Sequence, residues 1–269
     1  MEFLITVDLE GIHGVLGEGY KTLTQSFDYE VSKEGAILEI NTVARALFDC
    51  GAKKVAVWDC HGGGKNLDFS LIDPRCIKVQ HDKARGRFGF AKDHSFDGVI
   101  YLGYHAKEGT PKGILAHTFS SVGIQYCKLN GKAIGELTVD AYITHSYGMR
   151  SVLHGGDDVS CEEIESLCPG IVLTVTKYGK GRNEGVLRDR KEVLDELYSA
   201  TVEGVKRGGA VPVAPFPEKA SVEIRYTRAE RAEEMMRRAS SLGLRCSYGE
   251  DTHILICEIK EPWQIPELL

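Results

Sequence analysis

The chain has 269 residues, 42% apolar and 27% charged, and a formal net charge of −6 from 33 basic and 39 acidic side chains. That length suits one large domain with an appendage, and that apolar content supports a sizeable core and excludes a disordered chain. The acidic balance argues against a dedicated nucleic-acid binder, and no apolar run reaches the ~18 residues of a membrane-spanning helix.

Residues 3–7 form a short β-favouring run ending at Asp8. From about residue 29 to 48, Ile37, Ile40, Ala44, Leu47 and Phe48 repeat at the helical period, and Gly51 suits the helix stop. Residues 54–59, 77–80 and 98–104 read as three further strands, apolar on both faces as in a buried parallel sheet. Asn130-Gly131, between residues 125–129 and 132–134, predicts a tight hairpin because both residues accept positive φ. A helix is expected from Gly135-Glu136 to about Tyr147. Strands at 151–154 and 171–176 flank a helix at 158–167, and an amphipathic helix covers 190–206. Residues 208–217, rich in Gly and Pro, have linker composition. Behind them come a strand at 221–226, a helix opened by a Thr227/Glu230 capping box, and a last strand at 252–259. The alternation gives an α/β fold: a mostly parallel sheet flanked by helices, with a smaller C-terminal α/β subdomain. The expected division is a catalytic domain over 1–210 and the subdomain over 211–269.

Eight cysteines, at 50, 60, 76, 127, 161, 168, 246 and 257, form no Cys-x-x-Cys pair. A thiolate zinc cluster therefore has no local support, and reduced, mostly buried thiols are expected. The start Met1-Glu2-Phe3-Leu4 lacks the basic opening and longer apolar stretch of a signal peptide, so a cytoplasmic location is expected.

Ligands of open parallel sheets bind beyond the carboxyl ends of the strands. The first strand ends in Asp8-Leu9-Glu10-Gly11, the second in Asp59-Cys60-His61-Gly62-Gly63-Gly64, and the fourth in Gly103-Tyr104-His105-Ala106. His117 follows in Leu115-Ala116-His117-Thr118, and Glu136 opens a helix. In extended chain Asp8 and Glu10 share a face, as do Asp59 and His61. Carboxylates this close repel each other unless a cation is present, and a pair of divalent metals removes the conflict. Imidazole with carboxylate suits zinc, with manganese or iron as alternatives, and one carboxylate can bridge ions ~3.5–4 Å apart.

Plainer readings compete at each position. An Asp after a strand usually forms a turn, and a single His there usually sits hydrogen-bonded in the core. Gly-x-Ser-x-Gly is absent, so His61-Gly62-Gly63-Gly64 is no esterase oxyanion loop, and Asn66 after Gly64-Lys65 rules out a P-loop. Cys60 faces away from His61 in extended chain, which favours packing over nucleophilic attack. His154-Gly155-Gly156-Asp157-Asp158 reads as a helix cap before a second acidic site. His13, His81, His94, His145 and His253 have no flanking pattern. Spacing alone names no substrate.

Thr6-Val7-Asp8-Leu9-Glu10-Gly11 resembles the Ser-x-Asp-x-Glu-Gly signature of the D-aminopeptidases of bacterial dipeptide-transport operons, peptidase family M55. Asp59-Cys60-His61 with Asn66-Leu67, Gly103-Tyr104-His105-Ala106, Ala116-His117-Thr118, Gly135-Glu136-Leu137 and Gly156-Asp157-Asp158 resemble further family segments, in order, out to about residue 190. The resemblance implies a dinuclear zinc aminopeptidase forming a ring-like homo-oligomer, decameric in the family. By motif, Asp8 bridges two zinc ions, Glu10 and His61 complete one, and His105 and Glu136 complete the other. Manganese and cobalt are substitutes. His117 takes the catalytic position, as nucleophile or proton shuttle, and Asp59 either orients His61 or caps its turn. Thr6, Ala116 and Thr118 depart from the family's serines, at no ligand position but where D-against-L preference is at stake.

The expectation is an aminopeptidase releasing N-terminal, D-configured residues from short peptides, with no nucleic-acid or membrane partner. The alternatives are another dinuclear hydrolase, an amidase or phosphoesterase, and a non-catalytic metal-stabilised binding protein.

Overall fold

Strand β1 (Glu2–Val7) alternates its side chains between two cores. Phe3, Ile5 and Val7 enter one, and Leu4 enters the other. The period-2 rule holds equally for β2 (Lys54–Asp59), with Val55 and Val57 against Ala56 and Trp58. In β4 (Gly98–Tyr104), Ile100 and Leu102 oppose Val99 and Tyr101. Both faces being covered explains why these strands read as continuous apolar runs.

The structure is a computed structural model that describes residues 1–80, 85–208 and 213–269. His81 and the middle of the 208–217 run, including the 210/211 boundary, lie outside the described residues. The remaining strands of the first sheet are β3 (Ile77–Val79), β7 (Arg150–Asp157), β8 (Val172–Gly181) and β9 (Glu184–Leu187). Their order is β3-β2-β1-β4-β7-β8-β9, parallel except for the antiparallel edge strand β9. Helices α1 (Asp28–Asp49) and α4 (Arg190–Arg207) cover one face through Ile40, Val43, Leu47, Val193 and Leu197. Helices α2 (Glu136–Ser146) and α3 (Asp158–Leu167) pack on the other through Leu137, Val139 and Ile164.

A second, antiparallel sheet shares that other core. It contains β5 (Ile124–Leu129), β6 (Lys132–Ala133), β10 (Ala220–Tyr226), β11 (Cys246–Tyr248) and β12 (Ile254–Ile259), ordered β11-β12-β10-β5-β6. The C-terminal strands thus complete their sheet with the hairpin of residues 124–133, whose Asn130 and Gly131 have φ of 48° and 80°. Helix α5 (Ala229–Ser241) buries Ala232, Met235 and Ala239. Its N-cap is Arg228, without a side-chain cap. Thr227, expected in that role, donates its hydroxyl to Val122 O instead.

The expectation of eight reduced thiols is corrected. Cys246 and Cys257 sit directly opposite in the β11–β12 register and are joined by a disulfide, while the other six cysteines are free. The register of two short strands, not the sequence spacing, sets that pairing. Among the described residues no helix is long and apolar enough to cross a membrane.

Candidate metal centre

The candidate residues meet because two backbones pass at contact distance. Asp8 N–H donates to Leu102 O (2.8 Å) and Gly11 N–H to Gly103 O (2.6 Å), so the loop after β1 lies on the end of β4. A Cβ on Gly11 would lie 2.0 Å from Tyr104 O, and one on Gly103, whose φ is +70°, would lie 2.1 Å from Asp8 O. Only glycine permits that approach. Beyond Val7 the chain turns rather than staying extended, yet Asp8 and Glu10 still both reach His105.

At the end of β2, Asp59 and His61 take different tasks. Asp59 accepts from the backbone N–H groups of Asn66 (2.6 Å) and Leu67 (3.2 Å) and from Asn66 Nδ2 (2.8 Å). Asn66 Nδ2 also donates to His61 O at 2.8 Å. Asp59 therefore holds the turn behind His61, the capping role, and among the described residues it forms no hydrogen bond or ion pair with the imidazole. Helix α2 starts directly at Glu136, whose Oε1 accepts Phe119 N–H at 2.7 Å.

Asp8, Glu10 and His105 are buried, and Glu136 nearly so. His61 Nε2 lies 3.3 Å from Glu10 Oε1, and His105 Nε2 lies 3.5 Å from Asp8 Oδ2 and 3.3 Å from Glu136 Oε1. His117 Nε2 approaches the same Glu136 oxygen at 3.4 Å. The structure thus brings together Asp8, Glu10, His61, His105, His117 and Glu136.

Three carboxylates in so dry a place need positive charge beside them. Burial, then Glu10 and Glu136, push Asp8 well above its ordinary value. Burial also works upward on Glu10 and Glu136, but the neighbouring imidazoles outweigh it. They hold Glu10 well below the usual range and Glu136 at about 2. Burial works downward on His61, but Glu10 and Asp8 overcome it and raise it to about 10. His105 is likewise held well above its ordinary value by Glu136, Asp8 and Glu10 against its burial. His117 is different: burial and then the charge of His105 lower it.

The donor set fits divalent metal. Asp8 Oδ2, Glu10 Oε2, His61 Nδ1 and His105 Nε2 are buried without a well-formed hydrogen bond. His105 Nδ1 pairs with Ala106 O at 2.9 Å, which makes Nδ1 the protonated nitrogen and leaves the Nε2 lone pair for a ligand. Oxygen and imidazole donors together suit zinc. A cavity of about 220 Å³ opens over the group, walled by Leu23, Phe119 and Val122 and by the hydroxyls of Thr22, Thr24, Ser120 and Ser121.

A buried layer beneath these residues escaped the sequence reading. Tyr104 OH donates to Asp140 Oδ2 (2.6 Å) and meets Thr6 Oγ1 (2.9 Å) and Cys60 Sγ (3.2 Å). Arg87 grips both Asp140 oxygens, at 2.5 and 2.6 Å. Three of these partners lie close in sequence to a site residue: Tyr104 precedes His105, Cys60 precedes His61, and Asp140 lies one helical turn after Glu136. That four-residue spacing on α2 was the available signal. Cys60 bonds to Val7 O at 3.1 Å, and burial pushes its thiol well up, so it packs rather than attacks. Asp157 accepts Ser160 N–H at 2.9 Å and caps α3, as the sequence suggested.

Comparison with known proteins gives the chain's family and fold. Residues 1–241 match the family model of the D-aminopeptidases, peptidase family M55. The D-aminopeptidase of Bacillus subtilis (strain 168) is 28% identical over 177 residues, 66% of this chain and 64% of that protein. The match thus spans less than two thirds of that relative. The fold is that of a solved protein described as the zinc-dependent D-aminopeptidase DppA from Bacillus subtilis, a self-compartmentalizing protease. The TM-score is 0.86 at 22% identity, over 100% of this chain and 95% of that one. The chain belongs to the D-aminopeptidase family, peptidase family M55.

Proposed function

We propose that the protein is a dinuclear zinc-dependent aminopeptidase that releases N-terminal D-amino acids from short peptides. The observation that carries this reading is the convergence of three buried carboxylates and three imidazoles under one small cavity, in a chain of this family. Asp8, Glu10, His61, His105 and Glu136 would hold the two ions, and manganese or cobalt would substitute for zinc. When bound, such ions polarise a carbonyl oxygen and make water nucleophilic near neutral pH.

The chain's own residues do the rest. His117 Nδ1–H donates to Leu115 O at 2.8 Å, which fixes the tautomer and leaves Nε2 as the basic nitrogen. Nε2, at the edge of the cavity, is placed to take a proton from the attacking water and return it to the leaving amine. The cavity, about 220 Å³, is smaller than the ~300–1,000 Å³ of drug-sized sites, and it suits the end of a peptide. The description of DppA as self-compartmentalizing supports closure of several copies into a ring-like homo-oligomer, which would admit only short or unfolded peptides.

The test is metal analysis of the purified protein with turnover of D- and L-aminoacyl-p-nitroanilides, D-alanyl-D-alanine and p-nitrophenyl phosphate. Two zinc ions per chain and preferential release from the D-substrates, both lost on chelation and restored by zinc, are expected. Turnover of p-nitrophenyl phosphate alone would make it a phosphoesterase, and bound metal without turnover a binding protein. A particle of 29.6 kDa by light scattering would remove the ring and leave the chemistry.

A further inference from the structure

The loop of residues 10–17, which leaves β1 with Glu10 at its head, is largely buried and lacks regular structure. Its buried N–H and C=O groups require partners. Side chains of two other elements supply them. On β8, the wholly buried Lys177 donates its three N–H bonds to the carbonyls of Glu10 (2.5 Å), Ile12 (3.0 Å) and Val15 (2.6 Å). Beside it, the buried Thr176 donates to Gly11 O at 2.7 Å. From α1, Glu39 accepts His13 N–H at 2.9 Å, and Asp28 accepts from Leu16 and Gly17, each at 2.7 Å.

Among the described residues no carboxylate forms an ion pair with Lys177. An ammonium buried without such a partner is costly, and an apolar side chain would fill a strand interior better. What the lysine alone provides is three donors converging from one point on three carbonyls of a single loop. Asp28 and Glu39 hold N–H groups farther along, whereas Lys177 and Thr176 grip Glu10 and Gly11 themselves. We propose that Lys177, with Thr176 beside it, is the positioning residue of the metal centre, fixing the loop so that the Glu10 and Asp8 carboxylates stand opposite His61 and His105. The proposal rests on the dinuclear reading above.

The experiment compares wild type, Lys177→Met and Thr176→Val. It measures zinc affinity by competition with a chromophoric chelator and the visible spectrum of the cobalt-loaded proteins. Removing Lys177 leaves three buried carbonyls without donors, which would lower the melting temperature whatever its role at the site. Zinc affinity and the cobalt spectrum move only if the clamp sets ligand geometry. Lys177→Met is expected to weaken zinc binding about 10- to 100-fold and to shift the cobalt bands. Thr176→Val, which keeps the shape and removes one hydrogen bond, is expected to weaken it about fivefold. Wild-type affinity and spectrum in folded Lys177→Met overturn the proposal. If that variant does not fold, the same result in Thr176→Val overturns it. A wild type that binds no zinc removes the dinuclear reading and this proposal together, whereas variants that match a zinc-binding wild type remove the proposal alone.

Discussion

The imidazoles of His105 and His117 stack, with centroids 4.0 Å apart and planes 13° from parallel. Both Nε2 atoms reach the same oxygen of Glu136, at 3.3 and 3.4 Å. Their surroundings separate them. His105 is wedged between Asp8 and Glu136, whereas His117 borders the cavity. His105→Ala is expected to lose metal and melting temperature together, because it leaves buried carboxylates without compensation. His117→Ala is expected to keep both and to lose about 10²–10⁴ in kcat. Metal stoichiometry, melting curves and kcat for the two variants check this. Metal loss in His117→Ala would make it a ligand.

The Arg87–Asp140 pair beneath the site gives a second prediction. Asp140 is fully buried, and Arg87 with Tyr104 OH satisfies it. Arg87→Met leaves that carboxylate without its cation and is expected to destabilise the protein by about 3–5 kcal/mol. Lys191→Ala, at the exposed pair with Asp195, should change stability by less than about 0.5 kcal/mol. Urea unfolding midpoints of the two variants measure the contrast.

The two sheets were unequally legible in the sequence. The first announces itself because each of its central strands is an apolar run bounded by polar residues, and the strand-end rule then leads to Asp8, Glu10, His61 and His105. The rule cannot resolve what happens past the last strand residue, so the sequence leaves Asp59 either orienting His61 or capping its turn, and its bonds from Asn66 and Leu67 put it in the turn. Strands β9 and β11, of four and three residues, are too short to show any period. The partnership of the 124–133 hairpin with β10 spans about a hundred residues, and no local pattern encodes it. Lys177 left one trace, a charged residue directly after the expected strand at 171–176, which in the structure runs on through it as β8.

The third prediction concerns the backbone approach that assembles the site. An alanine at Gly103 would set its Cβ 2.1 Å from Asp8 O in a left-handed conformation, and neither backbone can retreat without parting β1 from β4. Gly103→Ala is expected to cost at least about 3 kcal/mol, the upper range of overpacking, and to lower zinc affinity as well. Gly19→Ala, with open space around its Cβ, should leave both unchanged. Thermal melting and zinc titration of the two variants decide it.

The last prediction is a pH dependence held in the loop's other anchor. Glu39 is 1% exposed, and its Oε2 has no partner among the described residues. Burial raises its pKa from 4.5 to about 7, against the opposing pulls of the His13 N–H, Lys177 and Arg190. Between these values the unfolded chain has released the proton and the native protein still holds it. The native state then binds more protons, so stability falls as pH rises through that window. The contribution is complete below pH 4.5 and lost above about pH 7. Glu39→Gln keeps an acceptor for His13 and cannot ionise, so it removes this slope. Relative to wild type, the variant is expected to gain on the order of 3 kcal/mol between pH 4.5 and pH 7, from a rise of about 2.5 in pKa at 1.36 kcal/mol each. Denaturant unfolding of both proteins at pH 4.5, 5.5, 6.5 and 7.5 measures the difference directly. A constant difference across these points would mean that Glu39 is ionised throughout the window and that Lys177 and Arg190 outweigh its burial.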